Sequence, residues 1–228
     1  MTLDWTALAA GPEPAGEGLR ERKKRQTRRL LSATATRLFL ENGFHAVRVA
    51  DVAAACGVSE KTVFNYFPTK ESLLLDLWAG TAGSLERLRE PGASPVKVVL
   101  DVLGAELDEL TAWLGAQPDP DAAAQGFRRF GRMLRETPSL RAYQRDTFDR
   151  LTGVAAAALA ERSRAEPGDL RPLAAAHALL GLWSVQFASL ARHVGTQRAP
   201  APLAAAVTAD VRRAAALLVD GLATLDGP

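Results

Sequence analysis

A chain of 228 residues, 47% hydrophobic and 24% charged, is long enough to bury a substantial core and too apolar for bulk disorder. Its single cysteine, Cys56, excludes an intrachain disulfide and a multi-cysteine metal site, as expected for a reducing cytoplasmic location. The net charge of +2 sums unlike parts: residues 20–70 hold eleven Lys or Arg against four Asp or Glu, hence +7, whereas residues 1–19 carry −3 and the remainder −2.

Taken in chain order, Met1 to Ala10 lack the basic start and apolar centre of a secretory signal, and Gly11-Pro12-Glu13-Pro14-Ala15-Gly16-Glu17-Gly18 makes residues 1–19 an expected flexible, solvated tail. Seven of the ten residues from Arg20 to Arg29 are positive, which reads as a basic, solvated arm ahead of the first helix. That helix carries Leu31, Ala35, Leu38 and Phe39 at helical spacing. Asn42-Gly43 offers a left-handed stop, with Phe44 placed to fold back on the helix. A second helix is expected over about Val49–Ala55, then the connector Cys56-Gly57-Val58, then Ser59 as N-cap of a third helix through Phe67.

This is helix-turn-helix spacing. Ala53 is small where the two helices approach, Gly57 can adopt positive φ, and Val52, Val58 and Val63 fix the interhelical angle. The third helix can then enter a major groove while the second crosses the backbone. Cys56, at a helix end, reads as a small core residue. Pro68-Thr69 ends the third helix and caps a fourth.

Further breaks fall at Pro91-Gly92, Gln117-Pro118-Asp119-Pro120, Thr137-Pro138-Ser139, Pro167-Gly168-Asp169 and Ala199-Pro200-Ala201-Pro202. They divide the chain into about nine helical stretches without a strand pattern, so the expected fold class is all-α. One stretch, Pro172–Ala191, is uncharged and long enough to span a bilayer. His177, Ser184, Gln186 and Ser189 interrupt it, which favours a buried soluble helix and no membrane partner.

Three blocks carry a family resemblance: Arg37-Leu38-Phe39-Leu40-Glu41-Asn42-Gly43-Phe44, Val52-Ala53-Ala54-Ala55-Cys56-Gly57-Val58-Ser59, and Thr62-Val63-Phe64-Asn65-Tyr66-Phe67-Pro68-Thr69-Lys70-Glu71-Ser72-Leu73. With them, residues 20–78 resemble the DNA-binding domain of TetR-family transcriptional regulators. The resemblance implies an N-terminal three-helix helix-turn-helix domain over 20–70, and a larger C-terminal helical body, 71–228, for dimerisation and ligand binding. It implies a homodimeric, ligand-responsive repressor on a palindromic operator, without cofactor or catalytic residues.

The DNA-facing residues it implies are Arg28, Arg48, Ser59, Glu60, Lys61, Thr62, Phe64, Asn65, Tyr66 and Lys70. Their chemistry suits the roles: Lys61 and Asn65 can pair with base edges, and Phe64 or Tyr66 can meet a thymine methyl or a phosphate. Thr62 can hold a phosphate near the helix start, and Lys70 can reach the backbone. Phe64 and Tyr66 are equally compatible with partial core packing. Val47 and Arg48 depart from the family's usual hydroxyl residues, removing a cap and a phosphate ligand, although Arg48 can contact a phosphate or a minor groove instead, and Lys61 replaces a frequent glycine.

In the body, the dimer is expected through the helix around Leu173–Arg192 and the last helix, about Leu203–Leu225. The latter aligns Leu203, Val207, Val211, Ala214, Leu218 and Leu222, a stripe that intrachain packing explains as well. Trp113, Phe127, Phe130, Met133, Phe148, His177, Trp183, Gln186 and Phe187 are candidates to line a pocket for an apolar or aromatic effector, or plain core. No Gly-x-Ser-x-Gly elbow or phosphate-binding glycine loop is present, and His45, His177 and His193 lack metal-ligand spacing, so neither an enzyme nor a metal protein is expected.

Overall fold

The computed structural model describes residues 18–75, 80–196 and 199–222, and among these all regular structure is helical. The helices are α1 (Leu19–Asn42), α2 (Val49–Ala55), α3 (Glu60–Tyr66), α4 (Thr81–Leu85), α5 (Pro95–Ala116), α6 (Pro120–Glu136), α7 (Pro138–Arg162), α8 (Arg171–His193) and α9 (Pro200–Leu222), with 3-10 turns at Glu71–Leu73 and Glu86–Arg89. The expected tail through Glu17, Trp78 and the side chain of Leu222 lie outside the described residues.

Most breaks sit where the punctuation puts them, for local reasons. Asp119 accepts from the Ala122 N–H at 2.9 Å and Pro120 opens α6, a position where the missing N–H costs nothing. Ser94 accepts from the Lys97 N–H at the start of α5. Thr69 and Ser72 exchange bonds, each hydroxyl accepting from the other's backbone N–H at 3.2 Å. What they cap is a 3-10 turn, where the sequence suggested the start of a full helix.

Two expectations are corrected here. The basic run is no separate arm: α1 begins at Leu19 and carries Arg20–Arg29 on its first turns, since Arg, Lys and Glu are good helix formers and Glu21 lies 4.0 Å from Lys24. Gly43 stops α1 at φ 89° and ψ 147°, outside the left-handed helical region and open in practice only to glycine. Its N–H bonds to the Phe39 carbonyl at 2.9 Å.

The helices gather into two compact units, residues 18–75 with 116–144, and 80–115 with 145–222 less 197–198. In the first, Leu31, Ala35, Phe39, Phe44, Val52, Val63, Phe67 and Leu73 are buried. The Ser32 hydroxyl donates to the Leu73 carbonyl at 2.9 Å, and Arg129 of α6 donates to the Leu40 carbonyl of α1. Phe44 folds back as expected, its ring 5.0 Å from that of Phe39.

In the second unit α8 and α9 pack most extensively. Leu179, Leu182, Trp183 and Leu190 of α8 are buried, as are Leu203, Val207 and Val211 of α9. The first half of the apolar stripe of α9 is therefore consumed inside the protomer, with Ala214 and Leu218 half-buried after it. By length and composition α8 is the one described helix able to cross a membrane, but half of its apolar window is already buried in the protein.

Candidate nucleic-acid interface

The connector between α2 and α3 sets the interface. Cys56 ends α2, Gly57 takes φ 66°, and two bonds close the turn: Gly57 N–H to the Ala54 carbonyl and Val58 N–H to the Ala53 carbonyl, 3.1 and 3.0 Å. This is the Schellman pattern, which satisfies the last carbonyls of a helix and requires a residue at ease in left-handed space. Ala53 is buried at the junction with Val52 and Val63, whereas Val58 is only half-buried. Cys56 is half-buried too, its Sγ 4.0 Å from the Leu30 carbonyl, and so is not the core residue expected.

Ser59 caps α3 as expected, its Oγ accepting from the Thr62 N–H at 3.1 Å and sharing a 2.9 Å bond with the Thr62 hydroxyl. Val63 and the following Phe67 are the buried anchors of this short helix. With the inward face so fixed, Glu60, Lys61, Phe64 and Asn65 all point to solvent, because positions four apart share a helix face. Phe64 is 48% exposed, which rules out the core alternative for it; Tyr66 is half-buried.

Three further candidates have partners within the protein. The Arg28 guanidinium donates to the Tyr66 carbonyl at 3.0 Å and lies 4.7 Å over the Phe67 ring, at the negative end of the α3 dipole. The Lys70 ammonium lies 4.4 Å from the Phe44 ring centre and 5.6 Å from that of Phe39, and burial lowers its pKa. Arg48 stands at the N-cap of α2, where its own N–H donates to Asp51 Oδ2 at 2.7 Å and its Nη2 lies 3.2 Å from Asp51 Oδ1. Asp51 thus supplies the reciprocal bond of a capping box, satisfying the N–H of the N-cap residue rather than replacing the lost hydroxyl, and these bonds lower its pKa, the backbone N–H foremost. Arg48 remains highly exposed, so its charge is available to an anion at little cost.

The candidate effector residues divide between the two units. Phe127, Phe130 and Met133 sit on α6 with the helix-turn-helix, the two rings 6.4 Å apart. Trp113, Phe148, His177, Trp183, Gln186 and Phe187 belong to the other unit. Phe148 and Phe187 meet edge to face at 6.5 Å, Trp113, Trp183 and Gln186 are buried, and His177 is exposed.

Sequence reasoning missed Glu106. It lies largely out of solvent, with Thr81 Oγ1 and Trp183 Nε1 each donating to its carboxyl at 2.8 Å, and burial raises its pKa. The signal was present: Val99, Leu103, Glu106, Leu110 and Trp113 follow one helical stripe, and a lone acid inside such a stripe is drawn largely out of solvent by position.

Comparison with known proteins adds an independent line. The family model for bacterial regulatory proteins of the tetR family matches residues 31–77, and that for the MftR C-terminal domain matches residues 111–223. The putative mycofactocin biosynthesis transcriptional regulator MftR of Mycobacterium tuberculosis is 27% identical over 161 residues, 71% of this chain and 78% of that protein. The transcriptional regulator RutR of Escherichia coli is 26% identical over 179 residues, 73% of this chain and 75% of that protein. Among solved structures, NalD, the secondary repressor of the MexAB-OprM multidrug efflux pump in Pseudomonas aeruginosa, is 21% identical with a TM-score of 0.49, covering 84% of this chain and 97% of that one.

Proposed function

The chain belongs to the TetR family of transcriptional regulators, and from that premise we propose that it acts in the cytoplasm as a homodimeric, ligand-responsive repressor of a palindromic operator. Residues 20–70 read the DNA and residues 71–228 pair the protomers and sense the effector. The observation that carries this reading is α3 itself: its apolar side is anchored by Val63 and Phe67, and Lys61, Phe64 and Asn65 are left facing water within a region of charge +7. In the groove Lys61 and Asn65 address base edges and Phe64 a thymine methyl, with Glu60 beside them. Arg48, Ser59, Thr62, Tyr66 and Lys70 serve the phosphates, and Arg28 holds α3 in place.

The faces of α8 and α9 left outside the protomer support the dimer. On α8, Ala174, His177, Gly181, Ser184, Ala188 and Ala191 are exposed at alternating spacings of three and four. On α9 the same holds for Ala205, Ala209, Arg212, Ala216 and Val219, with Leu217 84% exposed beside them. Small residues let helices approach closely, and a two-fold dimer reads two half-sites with linked binding events. The buried aromatic residues of the body suit an apolar or aromatic effector, which regulates by binding one arrangement of the heads better than the other.

Operator selection from random duplexes, followed by anisotropy titrations across salt, tests the reading. A preferred palindrome is expected, with affinity falling steeply with salt concentration. Asn65→Ala is expected to lose about 1–3 kcal/mol of discrimination at one base pair while circular dichroism stays unchanged. A salt-insensitive complex or the absence of a preferred palindrome overturns it.

A further inference from the structure

The Glu106 carboxyl joins three helices of one unit: its own α5, α4 through Thr81, and α8 through Trp183. Thr81 is the first residue of α4, and Trp183 is fully buried. Among the described residues Glu106 has no ion pair. The charges on the neighbouring 3-10 turn are engaged elsewhere, Arg87 with Asp101, Arg89 with Glu86 and Glu161. On α8, His177 faces solvent, and the charge that does act on Glu106 is the like charge of Glu109. Thr81 and Trp183 themselves do not titrate in the accessible range.

We propose that Glu106, Thr81 and Trp183 form a proton-binding lock that holds the start of α4 to α5 and α8. With the carboxyl neutral, its O–H donates to Thr81 Oγ1 and its carbonyl oxygen accepts from Trp183 Nε1, so both links persist without a buried charge. When the proton leaves to solvent, both neighbours donate to a carboxylate, yet no cation compensates the burial of that charge. Two hydrogen bonds favour the ionised form and burial opposes it; burial is the larger. Ionisation therefore favours any arrangement that lets water reach Glu106, and the element with the shortest hold is α4, five residues long. Protonation closes the lock and ionisation loosens it. Among the described residues α4 is the first α-helix after the helix-turn-helix. A consequence for DNA rests on the regulator reading, whereas the lock itself does not.

Tryptophan emission of the full chain, titrated with pH in the absence of DNA, tests the lock. The wild type is expected to shift to the red as pH rises, with a midpoint above the ordinary glutamate range, and Trp183→Phe is expected to remove that component. Glu106→Gln is expected to leave the emission flat across the same interval. Thr81→Val removes a bond that favours the ionised form, so its midpoint is expected higher than in the wild type; this variant serves also if the Gln form does not fold. No Trp183-dependent shift in the wild type, a shift that persists in Glu106→Gln, or an unmoved midpoint in Thr81→Val overturns the proposal.

Discussion

Arg28 illustrates how a basic residue beside the third helix of a helix-turn-helix can owe its position to the fold. Its guanidinium takes the Tyr66 carbonyl, one of the last acceptors of α3, and covers the Phe67 ring. Arg28→Ala is expected to destabilise the chain by about 1–3 kcal/mol, from a charge-assisted bond and a cation–π contact, read as a lower urea midpoint. Arg28→Lys keeps the charge but not the planar fork, and is expected to recover only part of that loss. An unchanged midpoint in the alanine form would leave DNA as the one place where Arg28 acts. Lys70 raises the same distinction, since its ammonium rests on Phe44 and Phe39. Sequence shows both residues as charges near a helix-turn-helix. It does not show which ring or carbonyl each has found, because those partners lie up to 38 residues away along the chain.

At the scale of elements, two glycines hold the helix-turn-helix in register, and each does so through its backbone. Gly57 has φ 66° in the α2–α3 connector and Gly43 has φ 89° after α1; a Cβ built on either meets nothing within 4 Å. The cost of alanine there is strain without a clash. Gly57→Ala is expected to cost about 1–2 kcal/mol, the penalty for a Cβ in left-handed space, with Gly57→Asn milder. Gly43→Ala is expected to cost more, because ψ 147° takes the residue beyond what Asn or Asp tolerates. Urea unfolding of the three variants ranks them; equal midpoints for both alanine forms would contradict the assignment. These glycines, the Ser59 cap and the α2 and α3 spacing were legible in the sequence, since each depends on neighbours within a few residues. The start of α1 was not, because a dense basic run suits a solvated arm and a helical turn equally well. The stripe of α9 was ambiguous for a related reason: periodicity identifies an apolar face without saying which surface covers it.

Across the larger unit, acids placed between helices make stability depend on pH in opposite directions. Asp210 of α9 accepts from Ser189 Oγ at 2.7 Å and lies 3.1 Å from His193 Nε2, both on α8, with Arg213 also bonded to it. These bonds, Ser189 first and His193 next, lower its pKa below the ordinary carboxylate value. A lowered folded-state pKa gives stability that is complete above the unfolded value and is lost as pH falls through the folded one. Glu106 has the reverse sign: the folded chain prefers its neutral form, so stability declines as pH rises from the unfolded value through the raised one. Melting temperature measured from acid to neutral pH is expected to show the acid-side loss reduced in Asp210→Asn and the later decline removed in Glu106→Gln. Unchanged profiles would mean that neither carboxyl differs between folded and unfolded chains.

By itself the sequence determined the all-helical class, the order and most limits of the helices, and the recognition motif with its charge of +7. Caps, helix breakers and periodicity act over one or two turns, and charge is a sum that needs no coordinates. Only the tertiary structure decided that α6 joins the helix-turn-helix unit through Arg129 and the Leu40 carbonyl, that the first half of the α9 stripe is spent on its own protomer, and that Glu106 lies between Thr81 and Trp183. Each of these depends on which helix faces which, a choice made by packing between segments far apart in the chain and invisible to any local pattern.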